Sequence, residues 1–251
     1  MKINKRQSDI VQLVDEKLKI SVSELSEILG VSEVTIRKDL ETLNMYGILI
    51  RQHGYALKKN TASITNRLSI NYEIKRRIAK KAASLVKPNE TVLLGGGSTC
   101  LLVAEEIINS NPSATIITNS IYVVEHISKL GSNKVILLGG EYQSDAKVLV
   151  GPLVRNSCKQ FYVDKMFIGT DGFVKDVGFM GSDSLRTEAV KNMSESAKNI
   201  VIVTDSTKFN RMGLLVQFQL NDVGLIVTDN NLSQEYQDYF KRYRIPVMMV
   251  N

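Results

Sequence analysis

The sequence predicts an α/β protein with a small N-terminal domain of three helices and a hairpin, followed by a larger domain with a mostly parallel sheet. Two observations predict this fold class. In the first sixty positions, apolar residues recur at helical spacing between helix-capping residues. From residue 91 onward, continuous apolar runs alternate with amphipathic helical stretches. The predicted domains are residues 1–59 and 75–251, joined by a polar linker at 60–74.

Composition limits the class of protein before any motif is considered. A chain of 251 residues with 43% hydrophobic content can bury an ordinary core in one or two domains. The formal net charge of +6 indicates an anionic partner, although 32 basic residues against 26 acidic ones are too balanced to identify one. Two cysteines supply neither a disulfide framework nor a metal-binding pair, and no segment has the roughly 20 apolar residues of a membrane span. We therefore expect a cytoplasmic protein without a membrane contact, a metal or a cofactor.

The first three helices are predicted from their caps and apolar spacing. Residues 7–18 form a first amphipathic helix. Ser21 opens a second helix as its N-cap, with an acid three residues later, and Gly30 ends it. The predicted apolar face of this helix is Leu25, Ile28 and Leu29. Ser32 can cap a third helix that follows at once. Two helices joined by a tight turn that contains glycine are typical of a helix-turn-helix.

The third predicted helix has two different faces. Ile36, Leu40 and Leu43 fall within about 60° of each other at 100° per residue, so they form the buried stripe. The opposite face combines bases, hydroxyls and one apolar side chain, each of which has a partner in the major groove of DNA. A solvated face with an incidental valine is the alternative, but the capped helix and the turn before it favour DNA. The predicted contacts are Ser32, Val34, Thr35, Arg37 and Lys38.

A hairpin is predicted after the third helix, in the stretch ILIRQHGYALK with its turn at His53 and Gly54. A basic hairpin behind a recognition helix is the pattern of a winged helix, whose wing contacts the backbone or the minor groove. Arg51, His53 and Lys58 are the candidate contacts. His53 is not expected to bind a metal, because no second histidine or cysteine lies nearby at ligand spacing.

The stretch VSELSEILGVSEVTIRKDLETLNMYGILIRQHG resembles the N-terminal DNA-binding domain of the DeoR family of bacterial transcriptional regulators. The resemblance covers the signature of valine-serine, threonine-isoleucine-arginine-x-aspartate-leucine and arginine-x-histidine-glycine. It implies a winged helix-turn-helix domain that binds DNA. At the end of the wing, the family usually has Gly-Gly-Ala, whereas this chain has Gly54-Tyr55-Ala56.

The larger domain begins with a basic stretch, KRRIAKKAASLV at residues 75–86, with apolar residues at helical spacing. Its bases, Lys75 among them, could contact DNA, but such a run usually forms the solvated face of a helix, and we favour that interpretation. Downstream, strands and helices alternate. The predicted strands are residues 91–94, 115–118, 134–138, 165–169, 200–204, 224–228 and 246–250, and the helices are 98–108, 121–130, 183–197 and 232–243.

Glycines and small polar residues follow the predicted strands, at the edge where ligands bind in open α/β sheets. The stretch GGGST at residues 95–99 is the most informative, because glycines let a backbone turn closely around an anion. A helix that begins at Ser98 or Thr99 adds free N–H groups and a positive dipole end. A phosphate suits this loop; a tight turn without a ligand is the alternative. The other strand ends are Thr118-Asn119-Ser120, Gly139-Gly140, Gly169-Thr170-Asp171-Gly172 and Thr204-Asp205.

A nucleotide site is disfavoured at the same loop. The pattern G-x-G-x-x-G is incomplete, because Cys100 stands where the third glycine belongs. The next strand ends in Asn119 rather than in an acid that could bind a ribose diol. The phosphate-binding pattern G-x-x-x-x-G-K-[ST] is also missing from the sequence.

From about residue 75 to 230 the chain resembles the effector domain of the DeoR family, which is related in fold to ribose 5-phosphate isomerase. The matching stretches are GGGSTC, ITNS, LLGGEY, VGPL, DKMFIGTDG, RTEAVKNM and DSTKF. The resemblance implies that Gly97, Ser98 and Thr99 hold a phosphate. It also implies that sugar hydroxyls are bound, or the site gated, by Asn119, Asp171, Glu188 and Lys208. The predicted effector contacts are completed by Gly95, Gly139 and Gly140.

Two details of this predicted site have a second interpretation. Many family members carry an aspartate where this chain has Gly95, so one hydroxyl acceptor is missing here. Asp205 and Lys208 could instead form a turn at a strand end with a surface ion pair, and the sequence does not decide between that and a role in binding.

The resemblance implies a repressor of a sugar or polyol catabolic operon that leaves DNA when a phosphorylated intermediate binds. Its expected partners are double-stranded operator DNA, a phosphorylated sugar or polyol, and further copies of itself in a dimer or tetramer. One alternative is a sugar-phosphate isomerase or lyase with a fused DNA-binding domain, in which Asp171 and Glu188 act as acid and base. Another is an architectural DNA-binding protein with an inert α/β domain. We expect no enzymatic activity.

Overall fold

A computed structural model describes residues 3–59, 64–131 and 134–251 of the chain. The chain divides into two compact units, Met1–Glu73 and Ile74–Asn251. The predicted fold class is confirmed, because the first unit has a helix-turn-helix with a wing and the second has a parallel sheet. In the described part of the chain, no helix has the length and apolar character needed to cross a bilayer.

The first unit is mostly helical, with one small antiparallel sheet of strand order β1-β3-β2. Strand β1 is only three residues long and was not predicted, because it owes its conformation to pairing with β3 rather than to an alternating pattern. The elements are α1 (Lys5–Lys17), β1 (Lys19–Ser21), α2 (Val22–Leu29), α3 (Glu33–Met45), β2 (Leu49–Gln52), β3 (Tyr55–Lys58) and α4 (Ile64–Ser69).

The core of the first unit contains the predicted stripe of α3. Ile36, Leu40 and Leu43 are fully buried and share one cluster with residues of α1 and α2. Ile28 was predicted to face this core but is 47% exposed. Leu25 and Leu29 pack in or against the core, and Ile28 lies at the edge of that face, because it is about 100° from Leu29 on the helical wheel.

Part of the predicted linker is ordered. Residues 64–69 form α4, in which Ile64 and Leu68 are buried, and the hydroxyl of Ser8 donates to the carbonyl of Ser69 at 2.8 Å. Two apolar residues four positions apart are too few to give a helical pattern in the sequence. Residues 60–63 of the linker lie outside the described residues, and the predicted domain limits of 1–59, 60–74 and 75–251 stay a prediction.

The second unit contains the remaining strands and helices; its first helix, α5, starts two residues before the boundary. The strands are β4 (Thr91–Leu94), β5 (Thr115–Thr118), β6 (Val135–Leu137), β7 (Glu141–Gln143), β8 (Val148–Val150), β9 (Val163–Ile168), β10 (Gly172–Val174), β11 (Gly178–Gly181), β12 (Ala197–Val203), β13 (Leu215–Phe218), β14 (Leu225–Asp229) and β15 (Val247–Val250). The helices are α5 (Tyr72–Ala83), α6 (Ser98–Ser110), α7 (Ile121–Ile127), α8 (Pro152–Cys158), α9 (Ser184–Ser194) and α10 (Gln234–Arg242).

Seven strands form the large sheet in the order β15-β14-β12-β9-β4-β5-β6, and each neighbouring pair is parallel. Val92, Leu93 and Leu94 of the central strand β4 are fully buried, as expected for a strand covered on both faces. The connections run in opposite directions on the two sides of the β4–β9 pair. In open α/β sheets, ligands bind beyond the carboxyl ends of the strands at this kind of reversal.

The sequence did not predict the shorter strands of the second unit. Strands β7 and β8 pair in a two-stranded sheet, and β10, β11 and β13 form an antiparallel sheet. Gly178 of β11 has φ +118°, and a Cβ there would lie 2.3 Å from the carbonyl oxygen of Phe218. A glycine is therefore required at this crossing. Phe173 and Phe179 of this sheet pack with Phe240 of α10 in an aromatic cluster.

Candidate functional site

The start of α3 is fixed by two hydroxyl side chains. The Ser32 hydroxyl accepts a hydrogen bond from the Thr35 amide at 3.3 Å and lies 2.9 Å from the Thr35 hydroxyl. Val34 follows the cap and is 63% exposed, although it is apolar. An exposed valine between two polar residues at a helix start suits contact with an apolar group on a partner.

The charged residues of α3 lie on the same exposed side as Val34. Arg37 and Lys38 are both exposed, and a guanidinium nitrogen of Arg37 donates to Glu33 at 2.9 Å. Both partners are about half exposed, so this pair contributes little to stability, and Arg37 can leave it for another anion. We had not predicted a role for Glu33, although its spacing of four residues from Arg37 is visible in the sequence.

A buried aspartate connects α3 to α1. The carboxylate of Asp39 accepts from Arg6 Nε at 2.5 Å and from Gln7 Nε2 at 3.1 Å. The sequence contains a signal for this contact, because Asp39 lies about 40° from Leu43 on the helical wheel and so falls on the buried stripe. These bonds hold the exposed face of α3 in one orientation relative to α1.

The wing is a tight hairpin between β2 and β3. Its central residues, His53 and Gly54, have φ values of 45° and 79°, as in the two-residue turns that match the twist of paired strands. Arg51 and His53 are exposed. Tyr55, which stands where the family usually has glycine, is exposed in β3, with the Lys19 ammonium 4.2 Å from its ring centroid. Lys58 forms an ion pair with Asp15 at 2.6 Å.

The loop between β4 and α6 contains the predicted phosphate contacts. The Gly95 amide donates to the carbonyl of Phe167 at 3.0 Å, which ties the loop to β9. A Cβ at Gly95 would lie 2.1 Å from Ile168 Cδ1, so an aspartate there would require this side chain to move. Gly97 is the N-cap of α6 and provides no side-chain cap, and Ser98 and Thr99 form the buried first turn. The first amides of this helix therefore have no side-chain acceptor from the cap.

Asn119 follows β5, the strand next to β4. Its Nδ2 donates to the carbonyl of Leu149 at 2.8 Å, and its own carbonyl accepts from the Leu149 amide at 2.7 Å. Among the described residues, none is a hydrogen-bond partner of Asn119 Oδ1, although the residue is only 2% exposed. A buried acceptor without a partner is costly unless a ligand or water supplies the hydrogen bond.

Three further predicted effector contacts, Asp171, Gly139 and Gly140, differ in their exposure and in their neighbours. Asp171, after β9, accepts from the Ser182 hydroxyl at 2.6 Å and from its amide at 3.0 Å. Gly139 is exposed, whereas a Cβ on Gly140 would lie 2.7 Å from the carbonyl oxygen of Val150. These residues follow strand ends, as predicted.

Glu188 is less closely connected to the predicted site. It is exposed on α9, and within the described ranges it forms no hydrogen bond or ion pair with another predicted contact.

Asp205, after β12, is buried rather than part of a surface ion pair. Its carboxylate accepts from the hydroxyl and the amide of Thr207. Burial alone would raise the pKa of Asp205, but the positive charge of Lys75, the Thr207 hydroxyl and the charge of Lys208 outweigh it and hold the pKa below its usual value. Asp205 is therefore a charged group inside the carboxyl edge of the sheet.

Lys75 is the exception to the predicted solvated basic face of its helix. It is only 4% exposed, whereas Arg76, Arg77, Lys80 and Lys81 of the same helix are exposed. The sequence contains a signal for this position, because Lys75 lies about 60° from Ile78 and about 20° from Ala82 on the helical wheel and so falls on the apolar stripe of the helix.

Sheet topology brings most of the predicted effector contacts to one edge. The loop at Gly95, the turn before Asp171 and the segment containing Asp205 follow β4, β9 and β12, which are adjacent strands. Asn119 follows β5 on the other side of β4. A phosphate at the first turn of α6 would therefore have polar side chains from the neighbouring strands around it.

A separate cavity lies beyond β12 and β14. Its volume is about 480 Å³, and its lining includes Lys175, Phe209, Ser233 and Tyr236. None of the predicted effector contacts lines it. We therefore do not assign the phosphate to this cavity.

Comparisons with known proteins agree for both units. Residues 6–61 match the DeoR-like helix-turn-helix domain, and residues 70–230 match the DeoR C terminal sensor domain. The chain is similar to the HTH-type transcriptional regulator GolR of Listeria innocua, with 32% identity and 96% of each chain covered. It is also similar to the glycerol-3-phosphate regulon repressor of Escherichia coli K12, with 28% identity over 91% of this chain and 92% of that protein. A ribose 5-phosphate isomerase from Methanocaldococcus jannaschii aligns over 55% of each chain with a TM-score of 0.41 and 19% identity.

Proposed function

The chain belongs to the DeoR family of transcriptional regulators, and from this premise we propose that a phosphorylated sugar or polyol controls its binding to operator DNA. The chain is a DNA-binding regulator and not an enzyme. The observation that carries the effector part is the first turn of α6, whose N-cap supplies no side chain, together with the buried Asn119 Oδ1, which has no hydrogen-bond partner among the residues that the structure describes. A phosphate and a hydroxyl on one ligand would satisfy both groups.

For DNA, we propose that α3 lies in the major groove. Arg37 and Lys38 reach phosphates or guanine edges, and Val34 contacts a thymine methyl group. Ser32 and Thr35 donate to phosphates near the helix start, while Arg51 and His53 on the wing contact the backbone or the minor groove. The exposure of this face and the Asp39 bonds that orient it support the assignment.

For the effector, the phosphate binds the amides and hydroxyls of Gly97, Ser98 and Thr99. The positive end of the α6 dipole favours a dianion there. Asn119 Oδ1 and the Asp171 carboxylate accept hydrogen bonds from hydroxyls of the sugar or polyol, and Lys208 adds positive charge. The glycines Gly95, Gly139 and Gly140 give the backbone its close approach, and Glu188 is the contact with the least structural support.

The biological role follows by analogy with the relatives. One relative is described as the glycerol-3-phosphate regulon repressor. By analogy, this chain represses a catabolic operon for a sugar or polyol in the cytoplasm and releases its operator when the phosphorylated intermediate accumulates. It acts as a dimer or tetramer, because one winged helix reads too few base pairs to select a genomic site.

The isomerase alternative has no support among these relatives, which are described as transcriptional regulators. The architectural alternative makes a different prediction from ours. An inert α/β domain would not change its stability with any phosphorylated compound.

A thermal-shift screen tests the effector part of the proposal. The panel contains glycerol 3-phosphate, ribose 5-phosphate, fructose 6-phosphate, glucitol 6-phosphate and inorganic phosphate, each beside its unphosphorylated form where one exists. A ligand at 100 times its Kd stabilises the folded protein by about 2.7 kcal/mol. We expect one phosphorylated compound to raise Tm while its unphosphorylated form does not. Equal responses to both forms, or none to any compound of a broader phosphosugar library, would contradict the proposal.

A further inference from the structure

The small sheet of the first unit has one face outside the hydrophobic core. Residues opposite each other in neighbouring strands share a face, so the register shows which side chains lie together. Ile20, Leu49 and Ala56 are buried and mark the core side. The other side, the outward sheet face, consists of Lys19, Ser21, Ile50, Gln52, Tyr55 and Leu57. This face contains no acidic residue, so an anion can approach it without repulsion.

Two hydrogen-bond donors on the outward sheet face lie side by side. Lys19 is exposed, and its ammonium is 4.2 Å from the centroid of the Tyr55 ring, a residue that is 40% exposed. Within the described ranges, Lys19 forms no ion pair and the Tyr55 hydroxyl forms no hydrogen bond. Attraction between the ammonium and the face of the ring keeps the two groups together. They therefore present a positive charge and an O–H donor at one place.

The acids around this pair bind other groups. The three that are nearest to Lys19 in the sequence are Asp15, which pairs with Lys58 at 2.6 Å, Glu16, which accepts from Gln12 Nε2 at 3.0 Å, and Glu24, which pairs with Lys17. None of these three carboxylates forms an ion pair with Lys19. The ammonium of Lys19 is thus available to an anion from outside the chain.

The outward sheet face is held in a fixed position relative to α3. In the turn of the wing, the carbonyl of Gly54 accepts from the Val22 amide at 2.9 Å, which joins the turn to the start of α2. The Arg51 amide donates to Asn44 Oδ1 at 3.1 Å, which joins β2 to the end of α3. Tyr55 follows this turn directly. The pair therefore lies beside the surfaces that we assign to DNA.

We propose that Lys19 and Tyr55 together bind one phosphate of the operator backbone, in addition to the contacts made by α3 and by the tip of the wing. This inference rests on the proposed DNA contact of the first unit. The ammonium of Lys19 supplies the charge, and the Tyr55 hydroxyl donates to a phosphate oxygen. Phosphate contacts carry no sequence information. The pair consequently strengthens binding to any duplex by the same factor.

Replacing Lys19 with methionine removes the charge and keeps an unbranched apolar side chain. The salt dependence of binding should then decrease by about one unit in slope, and by the same amount for a selected and a scrambled duplex. Tyr55→Phe keeps the ring and removes the hydroxyl. Its affinity for both duplexes should fall by about three- to tenfold without a change in salt slope. Lys19→Arg keeps the charge and should retain the wild-type slope.

The measurement is fluorescence anisotropy of the full chain from about 50 mM to about 200 mM salt. One labelled duplex is selected by the protein from a random library, and the other is its scrambled counterpart. Lys241→Met removes an exposed charge from α10, and Tyr162→Phe removes the hydroxyl of a tyrosine that is 74% exposed. Both controls should bind like the wild type. Circular dichroism confirms that each variant is folded.

A second measurement uses the wild-type chain only. Acetylation of lysines with an amine-reactive reagent is followed by mass spectrometry, with Lys241 as the internal reference. Either duplex should protect Lys19 from acetylation, and equal labelling with and without DNA would overturn the inference. Equal protection by inorganic phosphate alone would indicate an anion site unrelated to DNA. Protection that grows with protein concentration in the absence of DNA would indicate contact between copies, and both of these results would also overturn it.

The binding data separate this inference from the proposed function. If Lys19→Met and Tyr55→Phe keep the wild-type affinity and salt slope while Arg37→Ala binds more weakly, the inference is wrong and the proposed function stands. A loss confined to the selected duplex would show that the pair reads a base, which also contradicts a phosphate contact. If the wild type binds neither duplex, the proposed function and this inference are both wrong.

Discussion

Replacing Ser98 with aspartate places a fixed negative charge where the phosphate is proposed to bind. Ser98 is the first residue of α6 and is 9% exposed, so its surroundings are largely removed from water. Two unit charges roughly 4 Å apart repel by about 1 kcal/mol in water and about 4 kcal/mol at an effective dielectric constant near 20. A phosphate with a charge of about −1.5 to −2 therefore loses about 1.5–2 kcal/mol in water, and more in a partly dry site. This corresponds to a loss of affinity of roughly 10- to 30-fold or more.

The fold should tolerate this change. An acidic side chain at a helix N-terminus is stabilising by about 0.3–1 kcal/mol, because it interacts favourably with the dipole. Operator affinity without effector should therefore be unchanged. Ser98→Ala, which removes the hydroxyl without adding charge, should lose only about 0.5–1.5 kcal/mol of effector binding. Ser110→Asp, at the exposed far end of the same helix, controls for the added charge.

Calorimetry with the phosphorylated compound that binds the wild type gives the affinity, and circular dichroism confirms that each variant is folded. If Ser98→Asp binds that compound as tightly as Ser98→Ala does, the phosphate lies elsewhere. Loss of operator binding by unliganded Ser98→Asp would indicate either a damaged fold or a carboxylate that imitates the effector, and the circular dichroism spectrum separates these two cases.

If Arg37 reads a base, Arg37→Ala should weaken operator binding by about 1–3 kcal/mol and relax the preference at one base pair. If Arg37 contacts only phosphate, the salt dependence of binding should decrease by about one unit in slope. Unchanged operator affinity in a fluorescence anisotropy titration would exclude Arg37 from the interface. Asp39→Asn weakens the bond to Arg6, which is partly exposed, so urea unfolding of the first unit should lose about 1–2 kcal/mol, and an unaltered midpoint would argue against this contact. The hydrogen bond from His126 lowers the pKa of Glu105 despite burial, so this carboxylate contributes stability above its unfolded pKa of about 4.3 that is lost as the pH falls through the lower folded pKa. Glu105→Gln should therefore reduce the free energy of unfolding at pH 7 but not near pH 3, and a pH-independent difference would refute the linkage.

Elements with strong local signals could be predicted from the sequence. Ser21 and Ser32 accept hydrogen bonds from amides three residues later, as expected of N-caps. Gly30 has the left-handed conformation expected after a helix, with φ +64°. The strands of the large sheet are continuous apolar runs because helices and loops cover both faces. Caps and buried runs depend on neighbouring residues, so they are visible without a structure.

Features that depend on distant contacts could not be predicted in the same way. Strand β1 needs its partner β3, and the antiparallel strands β10 and β11 contain glycines that a local pattern assigns to turns. Among the described residues, the lack of a hydrogen-bond partner for Asn119 Oδ1 depends on the position of Leu149. The candidate loop was found from its glycines, whereas the electrostatics around it required the fold.

Control of DNA binding by a phosphorylated effector is tested most directly by one titration of the wild-type chain. The DNA is a labelled duplex that the protein itself selects from a random library, with a scrambled duplex as the control. Fluorescence anisotropy measures the affinity of the protein for the duplex in three conditions: without ligand, with the phosphorylated compound that binds best, and with the unphosphorylated form of that compound. Coupling in regulators is typically 1–3 kcal/mol, so we predict a change of about 5- to 150-fold with the phosphorylated compound only. The same affinity in all three conditions, or equal affinity for selected and scrambled DNA, would contradict the account.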